Sequence, residues 1–540
     1  MKVIDLFCGA GGFSEGFRQA GFEIIWAVDK WQPAVTTHHN NHPHSNTILG
    51  DVEQIAHLPD NEFDQVVPDS EIIIGSPPCV DFSNSNKSGK SDKVKGIRLI
   101  EAFLRIVARK MFKQGSILKY WILENVPNVE PYVEKEYPAA RLNLNGDFVL
   151  YVNHRNEYNA QNFGVPSKRK RFICGEYPEP QITIETDNGL IPLKHVLSSL
   201  GKPQSNEWKE IRDPNYDFAM LSKDVTDHHY FQELAEFEWK KAQRLKQDKG
   251  YMGRMAFPED TGRPARTIMA TMSFSARESM IFGFEDNRYR APTIREVASL
   301  MSFPIDYRFY GESIGQKYKL VGNAVPPKMA FAFAKAIANH ENIEIPAKYL
   351  RLPNGKDDSF VDLNWRPFDI RKEIPKRPVA GFKYHIPYLR IRTYRVELTN
   401  HYSDFEEMRF RWDVEIHKSQ GPDMAWFTPK ITQDMFSDQE LRKIENFYKS
   451  IREKLTCHNE FQRIYCMIQS ERLRRGFYGP YELLERVRDF LNAVGENANS
   501  TNDVLFDETP FALPRPIALG YFVLQSIIRE MEDLSKWKRP

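Results

Sequence analysis

Cys79 ends the run Ile72-Ile73-Ile74-Gly75-Ser76-Pro77-Pro78-Cys79-Val80-Asp81-Phe82-Ser83. An apolar β-branched stretch passes there into a proline-stiffened turn, which presents one thiol at a strand end. Ionised, it would be a nucleophile. Upstream, Asp5-Leu6-Phe7-Cys8-Gly9-Ala10-Gly11-Gly12 is a glycine-rich turn between an apolar run and a helix-like stretch. Missing Cβ atoms let such a turn approach a ligand, and Asp29, after the next apolar run, is placed to accept from ribose hydroxyls. Ser14 stands where a full GxGxxG would have its third glycine, so the glycines alone fit a ligand-free tight turn about as well. With Asp29, and with Asp51 in Gly50-Asp51-Val52, a nucleoside cofactor is the better reading, Asp51 accepting from an adenine amino group. Downstream, Glu124-Asn125-Val126 closes another apolar run. A carboxyl held there can donate a proton. A surface acid starting a loop is its plain alternative. Arg169 and Arg171 alternate along an extended segment and so share one face. They could grip a phosphate or a base carbonyl, or form a solvated basic run.

The other cysteines have plainer readings. Cys8 lies in the cofactor turn, Cys174 ends an apolar run, and Cys457 and Cys466 lie among helical residues. Five cysteines with no CxxC make neither a zinc site nor a disulfide framework, so no metal is expected and a reducing cytoplasm fits.

These residues need a scaffold. The 540 residues suffice for two or three domains, with 41% hydrophobic and 27% charged residues, as in a globular protein. No run approaches the ~20 apolar residues of a membrane helix, and the first residues enter a strand with no secretory signal. The net charge of +1 leaves nucleic-acid binding to local patches. Apolar runs alternate with helix-like stretches in the pattern of a parallel sheet with crossover helices. Strands are expected at Val3–Phe7, Ile24–Val28, Ile72–Ile74, Tyr120–Leu123, Phe148–Val152 and Arg171–Cys174. Helices are expected at Ser14–Ala20, Ile97–Lys110, Thr293–Met301 and Pro327–Ile337. Ser83–Lys95, polar and basic, reads as a loop that closes over a polyanion, with a disordered linker as the alternative.

Residues 178–262 are polar and less periodic, apart from a charged helix near Phe231–Gln247. They read as a module inserted into one sheet domain. Beyond His340, strand-like alternation near Tyr388–Leu398 and Arg409–Ile416 precedes helices near Gln439–Lys454, Tyr481–Val494 and Ile517–Leu534.

The ordered motifs resemble the cytosine-5 DNA methyltransferase family. Asp5–Ser14 is similar to its first motif, Pro78-Cys79 with Phe82-Ser83 to its nucleophile motif, and Glu124-Asn125-Val126 to its ENV motif. Arg169 and Arg171 match the arginines of QxRxR. Arg263-Pro264-Ala265-Arg266-Thr267 and Gly322-Asn323-Ala324-Val325-Pro326 resemble the ninth and tenth motifs. Two departures stand out: Ser167 replaces the usual glutamine of QxRxR, and Lys30 stands where many members place an apolar residue against adenine, a role open to Trp31.

The resemblance implies an α/β fold. A Rossmann-like S-adenosylmethionine-dependent methyltransferase sheet would span residues 1–177 and 263–340, with a target-recognition region at 178–262 and a C-terminal α+β extension at 341–540. It implies methylation of cytosine carbon 5 in a specific duplex DNA site, on a base rotated out of the helix. Cys79 would add to carbon 6, Glu124 engage N3, and Arg169 support the adduct through the base carbonyl with Arg171 nearby. Phe7, Gly9, Gly11, Gly12, Asp29, Asp51, Pro78 and Asn323 match cofactor-contacting positions. The implied setting is a monomeric prokaryotic modification enzyme in the cytoplasm, with double-stranded DNA as partner and a cognate restriction endonuclease acting separately. Methylation of tRNA cytosine and a non-catalytic nucleic-acid-binding relative are the competing readings.

Within the insert, Trp208, Arg212, Tyr216, His228, His229, Tyr230 and Arg254 could read base edges or stack on them. In the extension, Arg371, Lys372, Lys376, Arg377, Lys383, Arg390, Arg392 and Arg395 stand against one acid, Glu373, with Phe382, Tyr384, Tyr388 and Tyr394 interleaved. This strip fits phosphate contact and the solvated face of a structural domain equally well. Asp413 with Glu415-Ile416-His417-Lys418 hints at a nuclease carboxylate cluster, but the spacing is wrong for a D…ExK site, and no nuclease activity is expected.

Overall fold

The computed structural model describes residues 1–78, 82, 93–203, 209–248, 254–271, 273, 276–284, 287–353, 359–364, 370–418, 425–494, 503–504 and 513–537. The chain forms two compact units: Met1–Leu234 with Pro258–Phe274 and Glu278–Ile370, and Ala235–Phe257 with Ser275–Arg277 and Arg371–Pro540.

The first unit is built on seven strands: β1 (Lys2–Leu6), β2 (Glu23–Asp29), β3 (Asn46–Leu49), β4 (Ile72–Gly75), β5 (Tyr120–Asn125), β6 (His154–Asn159) and β7 (Lys170–Glu176). Their order is β3-β2-β1-β4-β5-β7-β6. The first five are parallel, whereas β7 runs antiparallel to both β5 and β6. The strands carry near-continuous apolar runs because both faces are covered. Ile4, Leu6, Ile73, Trp121 and Leu123 join one core with Phe103 and Val107 of helix Lys93–Met111. Their neighbours Val3, Ile72, Ile74, Tyr120 and Ile122 join the other, with Phe13 and Phe17 of α1 (Gly12–Gln19) and Met329 and Phe333 of helix Pro327–His340. This is the period of two of an extended chain, each fully buried large side chain stabilising the sheet by about 1.5–3 kcal/mol.

One expectation differs in detail, and one strand was not expected. The apolar stretch near Phe148–Val152 does form a strand, Val149–Tyr151, but it pairs with Glu136–Pro138 in a separate ribbon. The edge of the main sheet is β6, whose polar sequence His-Arg-Asn-Glu-Tyr-Asn presents no apolar run.

In the second unit, β8 (Lys383–Ile391), β9 (Tyr394–Thr399), β10 (Asp413–Lys418) and β11 (Ala425–Phe427) form an antiparallel sheet in sequence order. The stretch Tyr388–Leu398, expected as one strand, turns back at Arg392, which has a φ of 55°. Ile386, Val396, Leu398, Val414 and Ile416 pack on helices Pro480–Val494 and Arg515–Trp537 through Leu484, Val487, Ile517 and Leu524. Helix Glu236–Gln247 belongs to this unit. Arg244 pairs with Glu485 at 3.0 Å, and Asp248 accepts from the Tyr384 hydroxyl and the Tyr388 amide, each at 3.0 Å.

Candidate active site

Strand polarity brings the proposed chemistry to one edge of the first unit. Gly9 follows β1, Asp29 ends β2, Asp51 follows β3, Pro78 follows β4, and Glu124 lies near the end of β5. All lie at carboxyl ends of parallel strands, where open α/β sheets bind ligands. Because β7 is antiparallel, its first residues reach the same edge, with Phe172 opposite Asn125.

Glu124 is 3% exposed. Its Oε2 accepts from the Ser76 hydroxyl at 2.5 Å, and its Oε1 lies 2.7 Å from Arg171 Nε. The neighbouring Asn125 donates through its side-chain amide to the Pro77 carbonyl at 3.0 Å and accepts the Val126 amide at 2.9 Å. Asn125 thereby ties the turn after β4 to the end of β5. From the sequence, Ser76 has no part at the site and Asn125 none beyond its place in the Glu124-Asn125-Val126 motif; their contacts place both beside Glu124 and Pro77.

Arg169 has a different setting. It is 2% exposed and donates to the carbonyls of Ile268, Gly322 and Ala324 at 3.3, 3.1 and 2.9 Å. Ser167, in the usual glutamine position, donates to the Leu300 carbonyl at 2.8 Å and bridges to Ala265. The structure therefore separates the two arginines: Arg171 faces the acid, while Arg169 joins β7 to the ninth- and tenth-motif segments.

Around the cofactor turn, Gly9 and Gly11 have φ of 52° and 82°, and Phe7 adopts 58°, a conformation uncommon for a bulky residue. The glycines do different work. A Cβ on Gly9 would meet nothing nearer than the Phe7 carbonyl at 4.0 Å, so space is open there. A Cβ on Gly11 would lie 2.5 Å from the Tyr307 hydroxyl, and one on Gly12 2.1 Å from the Val325 carbonyl. Asp29 accepts the Gly9 amide at 3.0 Å and the Trp31 amide at 2.8 Å. Asp51 caps helix Val52–Ala56 by accepting the Glu53 amide at 2.9 Å. Pro78 and Asn323 are exposed, as is Lys30, while Trp31 lies under Lys319 Nζ at 4.6 Å.

Beneath the turn a buried relay links Asp5, Ser14, His38 and Thr47, at 2.6, 3.0 and 2.8 Å. Burial pushes the Asp5 carboxyl up to about 7 despite the Ser14 hydrogen bond. Burial, with the carboxylates of Asp29 and Asp5, holds the Cys8 thiol well above its ordinary value, and burial pushes Cys174 up to about 12. Neither is suited to be a thiolate. Cys79 lies outside the described residues, as do residues 83–92 of the expected loop. Phe82 is buried against Tyr132, with ring centroids 5.2 Å apart, and its carbonyl accepts from Asn128 at 3.0 Å.

The expected base readers divide. His228 and His229 are buried, bonded to the carbonyls of Leu200 and Ser222 at 2.9 and 3.0 Å, and the Tyr216 hydroxyl donates to Ser302 at 2.9 Å. These are core interactions and leave no group presented to a base edge. Tyr230 packs on the same core. Arg212 is exposed, and Arg254 lies over the Tyr388 ring at 5.6 Å. Trp208 lies outside the described residues. In the basic strip, Phe382 and Tyr394 are core residues, and Lys383 and Arg395 contact Glu415 and Glu397.

The family model of the C-5 cytosine-specific DNA methylase matches residues 1–339. The type II methyltransferase M.NgoFVII of Neisseria gonorrhoeae is 30% identical over 366 residues, covering 64% of this chain and 90% of its own. M.HgiDI of Herpetosiphon aurantiacus, also a type II methyltransferase, is 29% identical over 352 residues, covering 63% and 96%. Among solved structures, the Dnmt2 methyltransferase of S. pombe aligns with a TM-score of 0.41 at 16% identity, covering 64% of this chain and all of its own.

Proposed function

The chain belongs to the C-5 cytosine-specific DNA methylase family, and on that premise we propose that it transfers a methyl group from S-adenosylmethionine to carbon 5 of a cytosine in a specific duplex DNA sequence. The observation that carries this reading is Glu124, fixed between Ser76 and Arg171 beside the turn that leads to Cys79. A base in the stack cannot reach a carboxylate so recessed, so the cytosine must rotate out of the duplex. Glu124 then holds ring N3 and makes the ring more electrophilic. The Cys79 thiolate forms a C–S bond to carbon 6, which places electron density on carbon 5. Arg171 takes the contact with the base carbonyl that the motif comparison gave to Arg169, because the Arg169 guanidinium is committed to three main-chain carbonyls. After methylation a base removes the carbon 5 proton, and breaking the C–S bond restores Cys79.

Phe7, Gly9, Asp29, Asp51, Pro78 and Asn323 would hold the cofactor. The space beside Gly9 and the carboxylate of Asp29 bound to its amide fit a nucleoside; Gly11 and Gly12 serve by letting the turn pack. Bound there, S-adenosylmethionine supplies an electrophilic methyl group. The type II designation of the relatives supports a modification enzyme paired with a separate restriction endonuclease. The second unit adds a cleft of about 940 Å³ whose lining carries eight basic side chains, Lys240, Lys241, Lys372 and Arg488 among them, against the five acids Glu238, Glu373, Glu482, Glu485 and Asp489, a basic excess suited to the phosphate backbone.

The test is tritium transfer from labelled S-adenosylmethionine to duplex DNA, with bisulfite sequencing to locate the product. Label in a defined cytosine, lost in Cys79→Ser and Glu124→Gln, supports the reading. Label in tRNA and not in DNA, or label that survives Cys79→Ser, overturns it.

A further inference from the structure

Two glutamates face each other across the second unit's sheet: Glu397 on β9 is the register partner of Glu415 on β10, and His417 follows two residues on, on the same face. Like charges directly opposite each other destabilise a strand pair, and these are buried, at 4% and 2% exposure. Buried carboxylates so close together must be paired, protonated or bound to a metal.

Their orientation is specific. Each outer oxygen has its own partner: Glu415 Oε1 accepts from the Tyr402 hydroxyl at 2.5 Å, and Glu397 Oε1 pairs with Arg395. Both inner oxygens turn to His417. Its Nε2 lies 2.7 Å from Glu415 Oε2 and 3.1 Å from Glu397 Oε2. A neutral imidazole can donate through Nε2 to only one of them. Glu397 Oε2 is buried and accepts no hydrogen bond. Lys383 Nζ stands 3.5 and 3.4 Å from the two inner oxygens, longer than the ~2.8 Å of a tight charge-assisted bond, and its side chain is partly exposed at 36%.

We propose that Glu397, Glu415 and His417 form a divalent-cation site. The three ligand atoms lie within 4.8 Å of one another. Adjacent ligands at ~2.1 Å from an octahedral cation are ~3.0 Å apart, so the two distances to His417 require only small shifts. One imidazole with two carboxylates suits Mn²⁺ or Zn²⁺ better than Ca²⁺. Tyr402 and Arg395 act behind the carboxylates, orienting them as outer partners orient metal ligands. Lys383 neutralises the inner oxygens when no metal is bound and moves outward when one is. No metal is expected from the sequence because it has no CxxC; this set is assembled across a strand pair by register.

The test is calorimetric titration of the full-length chain with Mn²⁺ and with Zn²⁺, after chelator treatment and dialysis. One equivalent should bind. Glu415→Gln and His417→Ala should each weaken binding at least 10-fold with an unchanged circular dichroism spectrum, and Lys383→Ala should strengthen it by removing a competing charge. No stoichiometric binding in either the native chain or Lys383→Ala, or binding unaffected by Glu415→Gln, overturns the site and leaves a closed ion-pair network in its place. Methyl transfer plays no part in this readout, so the outcome is independent of the proposed activity.

Discussion

Arg171 Nε lies 2.7 Å from Glu124 Oε1, while the Arg169 side chain, two residues away, donates to three main-chain carbonyls. Neighbouring arginines on one face thus have separable consequences. Arg171→Ala removes the charge beside the acid and should lower kcat at least 100-fold, about 3 kcal/mol of transition-state stabilisation. Arg169→Ala leaves buried carbonyls unsatisfied and should cost about 3 kcal/mol or more of folding stability. Methyl-transfer kinetics beside thermal melts checks this. Methyl transfer at the native kcat by folded Arg171→Ala would reverse the assignment.

Ser76 donates to the other oxygen of the same carboxylate. Ser76→Ala removes one charge-assisted hydrogen bond, worth about 1.5–3 kcal/mol, with little change in packing volume. The expected result is a kcat lowered about 10- to 100-fold with S-adenosylmethionine affinity unchanged, measured by steady-state kinetics and cofactor titration.

The glycines of the cofactor turn should also divide. Gly9→Ala puts a methyl into open space in a left-handed conformation and should weaken cofactor binding about 10-fold, with modest loss of stability. Gly11→Ala and Gly12→Ala put it against Tyr307 and the Val325 carbonyl and should lower the melting temperature first. Cofactor titration and thermal melts of the three variants distinguish these outcomes.

Much of this was legible. Ile72-Ile73-Ile74 and Tyr120-Trp121-Ile122-Leu123 announce strands buried on both faces, and the motif order places Glu124 and the Gly9 turn at strand ends. The division between Arg169 and Arg171 was not legible, because alternation assigns a face and not a partner; the carbonyls that engage Arg169 come from residues 268–324, remote in sequence. His228 and His229 read as side chains able to reach base edges, yet the main-chain carbonyls that engage them are set by tertiary packing. Strand β6 was hidden for the opposite reason: an edge strand carries polar residues and gives no apolar run.

The cleft of the second unit gives a salt-dependent prediction. Lys240, Lys241 and Lys372 line it, and each lysine that neutralises a phosphate adds about 0.9 to the slope of log K against log salt on duplex DNA. Replacing all three with alanine should weaken binding of any duplex and make that slope shallower by about 2 to 3, with the preferred cytosine unchanged. Fluorescence anisotropy across a salt series measures the slope, and bisulfite sequencing reads the site. An unchanged slope would remove the cleft from the DNA path.

Asp5 makes the chain's stability depend on pH in a direction opposite to most carboxylates. Its ordinary value is 3.8, and burial, opposed by the Ser14 hydrogen bond, raises it in the folded chain to about 7. Below about pH 4 the carboxyl is protonated in both states and contributes nothing to the difference. Between about pH 4 and pH 7 the unfolded chain ionises while the folded chain keeps its proton, so folding loses stability as pH rises. The loss totals about 4 kcal/mol and is constant above pH 7. Asp5→Asn keeps an acceptor for Ser14 and cannot ionise. The variant should therefore gain stability over the native chain progressively from pH 4 to pH 7 and hold that gain above it. Urea unfolding at a series of pH values measures the difference; parallel curves for the two chains would show that Asp5 ionises freely in the fold.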